Sequence, residues 1–271
     1  MAIQQTEPRW LERIQEIPRE FDNVRFPEVD VSQDREWCEM IVDGERRRIR
    51  LHDYHRLYEV PGLYEWVFYE CLECCSPSRV ARLLESLIED FAENPEDLRV
   101  LDIGAGNGMV GDELEQLSVE RIIGIDIIEE AKTATERDRP GVYDDYLVTD
   151  LTDLPELVEE RLRGERLNCL TSVAALGFGD LPSKAFLKAL DLISAPGWVA
   201  FNIKEDFLCE RDETGFCELI RQLSRERIIQ MQAYRRYQHR LSVTGKPLYY
   251  VVVVAKKLKG VPEHMMESFD T

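Results

Sequence analysis

From residue 76 onward the chain alternates short apolar runs with amphipathic ones. Arg99–Ile103, Arg121–Ile125, Tyr146–Val148, Leu167–Ser172 and Trp198–Ile203 read as strands, each followed by apolar residues at helical spacing. Val110, Leu114 and Leu117 mark the first of these helices, and Glu129–Arg137 is the second. Leu154, Leu157, Val158 and Leu162 mark the third; Phe186, Leu187, Leu190 and Ile193 the fourth; Phe216, Leu219, Ile220 and Leu223 the last. Ahead of the first strand, Ser76-Pro77 reads as N-cap and N1 of a helix with the stripe Val80, Leu83, Leu84, Leu87, Ile88 and Phe91. Strand alternating with helix predicts parallel βαβ units, with helices on both faces of one sheet. The rhythm breaks at the end: Ile228–Ser242 and Leu248–Ala255 are two extended runs joined through Thr244-Gly-Lys-Pro247, a hairpin-like turn. An antiparallel hairpin is therefore expected to finish a mostly parallel sheet.

The leader, residues 1–75, follows neither period. It holds Trp10, Trp37 and Trp66 of four Trp, together with Tyr54, Tyr58, Tyr64 and Tyr69, in a proline-punctuated pattern that reads as helical or irregular. The expected organisation is a leader over 1–75, an α/β core over 76–258 and a tail over 259–271.

Composition narrows the function. Fifty-three acids against 34 bases give a net charge of −19. Such a field repels nucleic acid unless a basic patch is segregated, and only Arg46–Arg48 with Arg50 approaches one. No basic segment followed by an apolar one opens the chain, and the longest apolar run, Tyr249–Ala255, is too short to span a bilayer. No nucleic-acid partner and no membrane are expected, and a cytoplasmic location follows. Seven cysteines without a secretory signal read as free thiols. Cys71, Cys74 and Cys75 lack a second pair at zinc spacing, so buried thiols on one helix face are expected, and no metal site.

Open α/β sheets bind ligands beyond the carboxyl ends of their strands. Asp102, Asp126 and Asp150 stand at three successive strand ends, 24 residues apart each time. After Asp102 comes Gly104-Ala105-Gly106-Asn107-Gly108-Met-Val-Gly111, with four glycines in eight residues. A tight strand-to-helix turn needs one glycine; four let backbone approach a ligand closely. Gly106, Gly108 and Gly111 also satisfy the dinucleotide fingerprint, with Asp126 twenty residues beyond Gly106. That register would drive the strand through Gly104, a poor strand residue. With Gly104 as the first loop glycine, the strand ends cleanly at Asp102-Ile103.

Val100-Leu-Asp-Ile-Gly-Ala-Gly-Asn-Gly108 resembles motif I of the class I S-adenosylmethionine (SAM)-dependent methyltransferases. Ile122-Ile-Gly-Ile-Asp126, Val148-Thr-Asp150-Leu151 and Ala195-Pro-Gly-Trp198 are similar to that family's later motifs, in order, and the resemblance covers residues 76–258. It implies a Rossmann-like seven-stranded sheet with a reversed last strand, and SAM as cofactor. It also implies roles: the Gly104–Gly108 backbone against the methionine part, and Asp102 near its amino group or ordering the loop. Asp126 would accept both ribose hydroxyls, Ile127 pack on adenine, and Asp150 accept from the exocyclic amine beside the Leu151 backbone. Ser172 or Val173 would floor the sulfonium. Asn168 stands where many members have an acid, and no Pro-Pro-aromatic motif or double-glutamate hairpin is present. Asp180 with Asn202 or Asp206 makes a poor fit to the metal-dependent type.

Methyl transfer needs a base only when the nucleophile carries a tightly held proton. Tyr54, His55, Tyr58 and His239 are the candidates, the first three in a leader that small-molecule methyltransferases often use as a lid. The segment Leu51–Tyr64, with Ala174–Pro182, is also similar to the Williams–Beuren-region methyltransferase-like proteins. At helical spacing Tyr54 and Tyr58 share a face, with His55 turned about a hundred degrees away. The expected function is methyl transfer to a small-molecule acceptor. A protein methyltransferase and a binding module for SAM or adenosylhomocysteine without turnover are the alternatives. Oligomeric state is not legible.

Overall fold

A computed structural model describes residue 21 and residues 23–42, 44–209 and 211–269. Trp10 lies outside them. Contacts divide the chain into two compact units: Met1–Cys74 with Arg240–Pro247, and Cys75–His239 with Leu248–Thr271. The tip of the terminal hairpin thus groups with the leader, and the tail groups with the core.

The first unit contains a two-stranded antiparallel sheet, β1 (Trp37–Val42) and β2 (Glu45–Arg50), where the sequence pattern promised only helical or irregular chain. The pattern missed it because β2 reads Glu-Arg-Arg-Arg-Ile-Arg, with Ile49 its one buried residue. Charge pairing supports the strand instead: Glu39 of β1 takes Arg46 at 3.1 Å and Arg48 at 3.5 Å. Helix α1 (Tyr54–Glu59) and a helical stretch ending in the π-turn Trp66–Cys71 follow. Their apolar side chains Leu57, Leu63, Val67 and Phe68 bury against Cys38, Met40, Ile49 and Val243. The hairpin tip is fastened by charge. Glu36, fully buried, accepts from the Arg240 guanidinium at 2.5 Å and from the Val243 amide at 2.9 Å.

The second unit opens with α2 (Ser76–Asp90), whose stripe Val80, Leu83, Leu84 and Ile88 is buried. Each such side chain contributes about 1.5–3 kcal/mol on leaving water. Pro77 sits in the first turn as expected, but Cys75 is the N-cap, and the Ser76 hydroxyl makes no cap bond. There follow β3 (Arg99–Ile103), α3 (Met109–Gln116), β4 (Arg121–Asp126), α4 (Glu129–Asp138), β5 (Asp145–Val148) and α5 (Glu156–Gly164). Then come β6 (Cys169–Ser172), α6 (Ser183–Leu192), β7 (Gly197–Lys204), α7 (Phe216–Arg225), β8 (Ile229–Leu241), β9 (Pro247–Lys257) and α8 (Glu263–Ser268). The seven-stranded sheet has the order β5-β4-β3-β6-β7-β9-β8. Strands β3 to β7 pair in parallel, and β9 runs antiparallel to β7. The expected sheet and its reversed end are therefore present.

Alternation along β7 builds both layers. Val199, Phe201 and Ile203 enter a core made with Phe186 and Leu190 of α6 and Leu219 and Leu223 of α7. Trp198 faces the other way, edge-on to Phe91 at the end of α2. The tail belongs to this core, since Met265 of α8 is fully buried in it. Lys257 caps the far end of α6, its ammonium donating to the Leu190 carbonyl at 2.7 Å and that of Ile193 at 2.5 Å. Burial holds its pKa down at about 8.

Asn168 explains its own identity. Its carbonyl oxygen accepts from the Arg99 amide at 2.8 Å and its NH2 donates to Asp97 O at 2.9 Å. An amide does both; a carboxylate only accepts. The side chain ties β3 to β6 at the end of the sheet away from the glycine loop.

Candidate functional site

Chain order reverses direction in the sheet between β3 and β6, since β4 and β5 lie on one side of β3 and β6 and β7 on the other. Such a switch point leaves a crevice at the carboxyl ends of the two strands. Gly104 follows β3 there, and Val173 to Ala175 follow β6.

Gly104, Gly106 and Gly108 all have positive φ, at 65°, 55° and 88°. Gly104 has a second constraint: a Cβ built on it would stand 2.5 Å from the Ala175 Cβ, where nothing can give way cheaply. Between them Ala105 is buried and its amide donates to Ile125 O at 3.1 Å, stitching the loop to β4. Asn107 is buried as well, and Gly108 is the N-cap of α3.

Side chains from beyond β4 hold this loop. The Gly106 carbonyl accepts from Thr135 Oγ1 of α4 at 2.9 Å and from the Tyr146 hydroxyl at 2.7 Å. Arg139 is 2% exposed; it pairs with Asp112 of α3 at 2.6 Å and donates to the Asn107 carbonyl at 3.1 Å. None of Thr135, Arg139, Tyr143 or Tyr146 stood out in the sequence. They are polar residues spaced for no single face, and only the fold brings them under the glycines.

Asp102 is buried, with one oxygen accepting from Tyr143 and the other from Thr171, each at 2.7 Å. Burial pushes its pKa up to about 7, outweighing those two hydrogen bonds, and the Asp126 charge adds to the rise. Asp126, at the end of β4, accepts from the Gly106 amide at 2.9 Å and the Ile128 amide at 3.0 Å. Burial raises its pKa too, and Asp180 adds repulsion. Two carboxylates with raised pKa values therefore flank one glycine loop.

Ile127, beside Asp126, is 60% exposed. One strand further out Asp150 is also exposed, accepting from the Thr152 amide and hydroxyl at 2.7 Å each, which lowers its pKa; Leu151 next to it is buried. Ser172 is fully buried and donates to Ile103 O at 3.3 Å, and Val173 is buried beside it.

The candidate bases separate. Tyr54 and Tyr58 lie in the first unit, their rings stacked at 6.2 Å within an aromatic cluster that includes Tyr64 and Phe68. His55 points elsewhere and lines a surface cleft of about 520 Å³ with Arg47, Arg48, Arg56 and Glu59. His239, by contrast, is buried in the second unit.

Cys71, Cys74 and Cys75 are half-buried rather than buried, and they do not share a helix face: Cys71 closes the π-turn, and the other two lie in the loop before α2. Among the described residues no group of three His, Cys, Asp or Glu side chains is placed to hold a metal ion. Nor, among them, is any helix long and apolar enough to cross a membrane.

No protein-family model matches the chain. Over 132 residues it is 31% identical to the mitochondrial ubiquinone biosynthesis O-methyltransferase of Candida albicans, spanning 46% of this chain but only 38% of that relative. Among solved structures it is similar to the N-methyltransferase NodS of Bradyrhizobium japonicum in complex with S-adenosylhomocysteine, at TM-score 0.51 and 14% identity. That match covers 76% of this chain and 97% of NodS. A proposed RNA methyltransferase from Pyrococcus horikoshii matches at TM-score 0.50 and 15% identity, over 68% of this chain and 86% of its own. The likeness of the leader to the Williams–Beuren-region proteins has no counterpart among these relatives. With the strand order, the reversed last strand and the glycine loop at the switch point, the likeness is specific: the chain has the fold of the class I SAM-dependent methyltransferases.

Proposed function

We propose that the protein is a SAM-dependent methyltransferase acting on a small-molecule acceptor by in-line displacement. The observation that carries this reading is the glycine loop itself, at positive φ at the switch point with the Asp126 carboxylate against it. The residues present fit SAM. Side-chain-free backbone at Gly104 to Gly108 would lie along the methionine part, and Asp126 would exchange its amide partners for the two ribose hydroxyls. The exposed Ile127 side chain suits an adenine face, Asp150 has room to accept from the exocyclic amine beside Leu151, and Ser172 or Val173 would floor the crevice beneath the sulfonium. Asp102, turned into the protein, would act by ordering the strand end.

Bound SAM supplies a methyl group already activated on a sulfonium. What is left to the protein is to hold the acceptor in line and exclude water. The −19 net charge and the ubiquinone-biosynthesis role named for the Candida protein support a small acceptor over a nucleic acid.

Two measurements test the cofactor reading. Asp126→Ala is expected to weaken SAM by about 1.5–3 kcal/mol in calorimetry, the loss expected for hydrogen bonds to a charged group. Binding of NADH in place of SAM would falsify the assignment. The second measurement is of protons. In the free protein Asp102 is half-protonated near pH 7, and a cationic ligand favours its ionised form. SAM binding should therefore release protons below about pH 7, and affinity should climb as pH rises towards that value, then level off, by at most about tenfold per unit. Adenosylhomocysteine, lacking the sulfonium charge, should show a weaker dependence. Calorimetry in two buffers of different ionisation heat reads the released protons directly, and a pH-independent SAM affinity would remove the electrostatic link. Formation of adenosylhomocysteine from SAM across an acceptor library separates an enzyme from a binding module.

A further inference from the structure

Residues 46–56 carry five arginines and two histidines against one acid, in a chain of 53 acids and 34 bases. The fold of the first unit gathers part of that charge at one place. On β2 successive side chains leave opposite faces of the strand. Arg46 and Arg48 share the Glu39 carboxylate, and the Arg48 guanidinium also lies 3.9 Å from the centre of the Trp37 ring. Arg47 and Ile49 alternate with them, Ile49 joining the buried core that also holds Leu57 of α1. Along α1, His55 and Glu59 stand four residues apart and share a face, with Arg56 beside it. All three are exposed, while Leu57 and Tyr58 are buried.

Between β2 and α1 lies the cleft of about 520 Å³. Three arginines, Arg47, Arg48 and Arg56, line it together with His55, against the single carboxylate of Glu59 among its described residues. Ile49 and Val60 supply its apolar part. Like charges so gathered repel one another, and an anion between them removes that cost.

The lining also restricts what the anion can be. Guanidiniums carried on two different elements approach a ligand from different directions, which suits the three oxygens of a phosphate monoester better than a planar carboxylate. A phosphate monoester also carries close to two negative charges at neutral pH. The cleft has the size of an organic ligand's site, and inorganic phosphate would fill only a corner of it. Glu59 would repel bare phosphate, but as a pure acceptor it suits a hydroxyl group on the ligand's organic body. A nucleic-acid strand would have to run beyond the cleft into the field of a chain at −19.

We propose that this cleft binds a small organic phosphate bearing hydroxyl groups, with Arg47 and Arg56 on the phosphate and Glu59 on a hydroxyl. Arg48, held against Trp37 and Glu39, supplies fixed positive charge at the wall. The site is built from the first unit alone and does not depend on the methyltransferase reading.

The test is calorimetry on the full chain with ribose 5-phosphate and glycerol 3-phosphate as probes, at about pH 8, where a phosphate monoester is a dianion. At least one of the two should bind in a one-to-one complex, about tenfold or more tighter than inorganic phosphate, and ribose without its phosphate should not bind measurably. Arg56→Gln and Arg47→Gln should each weaken that complex about tenfold or more, the scale of a lost charge-assisted hydrogen bond. Both side chains are exposed, so the urea midpoint should hold. Arg56→Gln, on the outer face of a helix, decides the matter if Arg47→Gln folds poorly. Raising KCl from about 20 to about 200 mM should weaken the complex several-fold, as screening requires. Glu59→Gln should strengthen inorganic phosphate more than the organic phosphate, narrowing the difference between them to under about threefold. Failure of both organic phosphates to bind, or affinities no better than that of inorganic phosphate, overturns the proposal. So do arginine variants that bind like the unsubstituted protein, and so does a short single-stranded RNA that binds more tightly than either probe.

Discussion

Arg139→Met is expected to destabilise the second unit by about 3–5 kcal/mol, the cost of leaving a buried partner charge uncompensated. The methionine fills much of the same volume, so packing is nearly conserved and the loss is electrostatic. Arg139 is 2% exposed and Asp112 nearly as buried, so water cannot replace the guanidinium 2.6 Å from the carboxylate. The same substitution frees the Asn107 carbonyl, so SAM affinity should fall in whatever fraction stays folded. Urea denaturation gives the first quantity and calorimetry the second. The double variant Asp112→Leu, Arg139→Met separates the causes: stability should return in part, since an apolar pair replaces a buried ion pair well, while the loop stays loose. If Arg139→Met unfolds at the same urea concentration as the unsubstituted protein, the pair is not the clamp its burial indicates.

Gly104→Ala should have an effect of similar size for a different reason. A side chain at φ 65° costs about 1–2 kcal/mol in backbone strain. Its Cβ would also lie 2.5 Å from that of Ala175, and overpacking of this kind costs about 1–3 kcal/mol more. To relieve the clash the chain after β6 must move, and that chain carries the Ala174 amide. The variant should therefore lose SAM binding and methyl transfer together. Gly141→Ala is the control: it shares a positive φ of 80° but has nothing within 4 Å of a new Cβ. It should cost the strain alone. Equal melting temperatures for the two alanine variants would show that the contact with Ala175 is not tight.

Much of the second unit was legible because its central strands β3, β4, β6 and β7 are buried on both faces and its helices on one, two patterns that sequence records directly. Asp102, Asp126 and Asp150 were legible as a set because strand ends are where such sheets place polar groups. The leader was not, since β2 is held by arginines paired with Glu39 and shows no alternation of apolar positions. Nor was the support of the glycine loop: Thr135, Arg139, Tyr143 and Tyr146 are buried by contacts made across the chain, and nothing local marks them. Ser76 was misread for a related reason. Its position before Pro77 suits a cap, and the groups that claim its hydroxyl, Tyr237 and His239, lie more than 160 residues away.

The order in which the chain is made bears on how it folds. Glu36 is synthesised early, yet its partners Arg240 and Val243 follow 204 and 207 residues later. Until they emerge from the ribosome the Glu36 carboxylate has no guanidinium to meet, and Phe68 lacks the cation that comes to lie over its ring. The unit that holds Glu36 is thus begun before the other and completed after most of it. Contacts of such long range slow folding, and they leave the nascent segment with apolar surface exposed for most of translation. Ribosome-bound fragments that stop before Arg240 should accordingly be cut by protease within residues 21–74, and release of the finished chain should protect them.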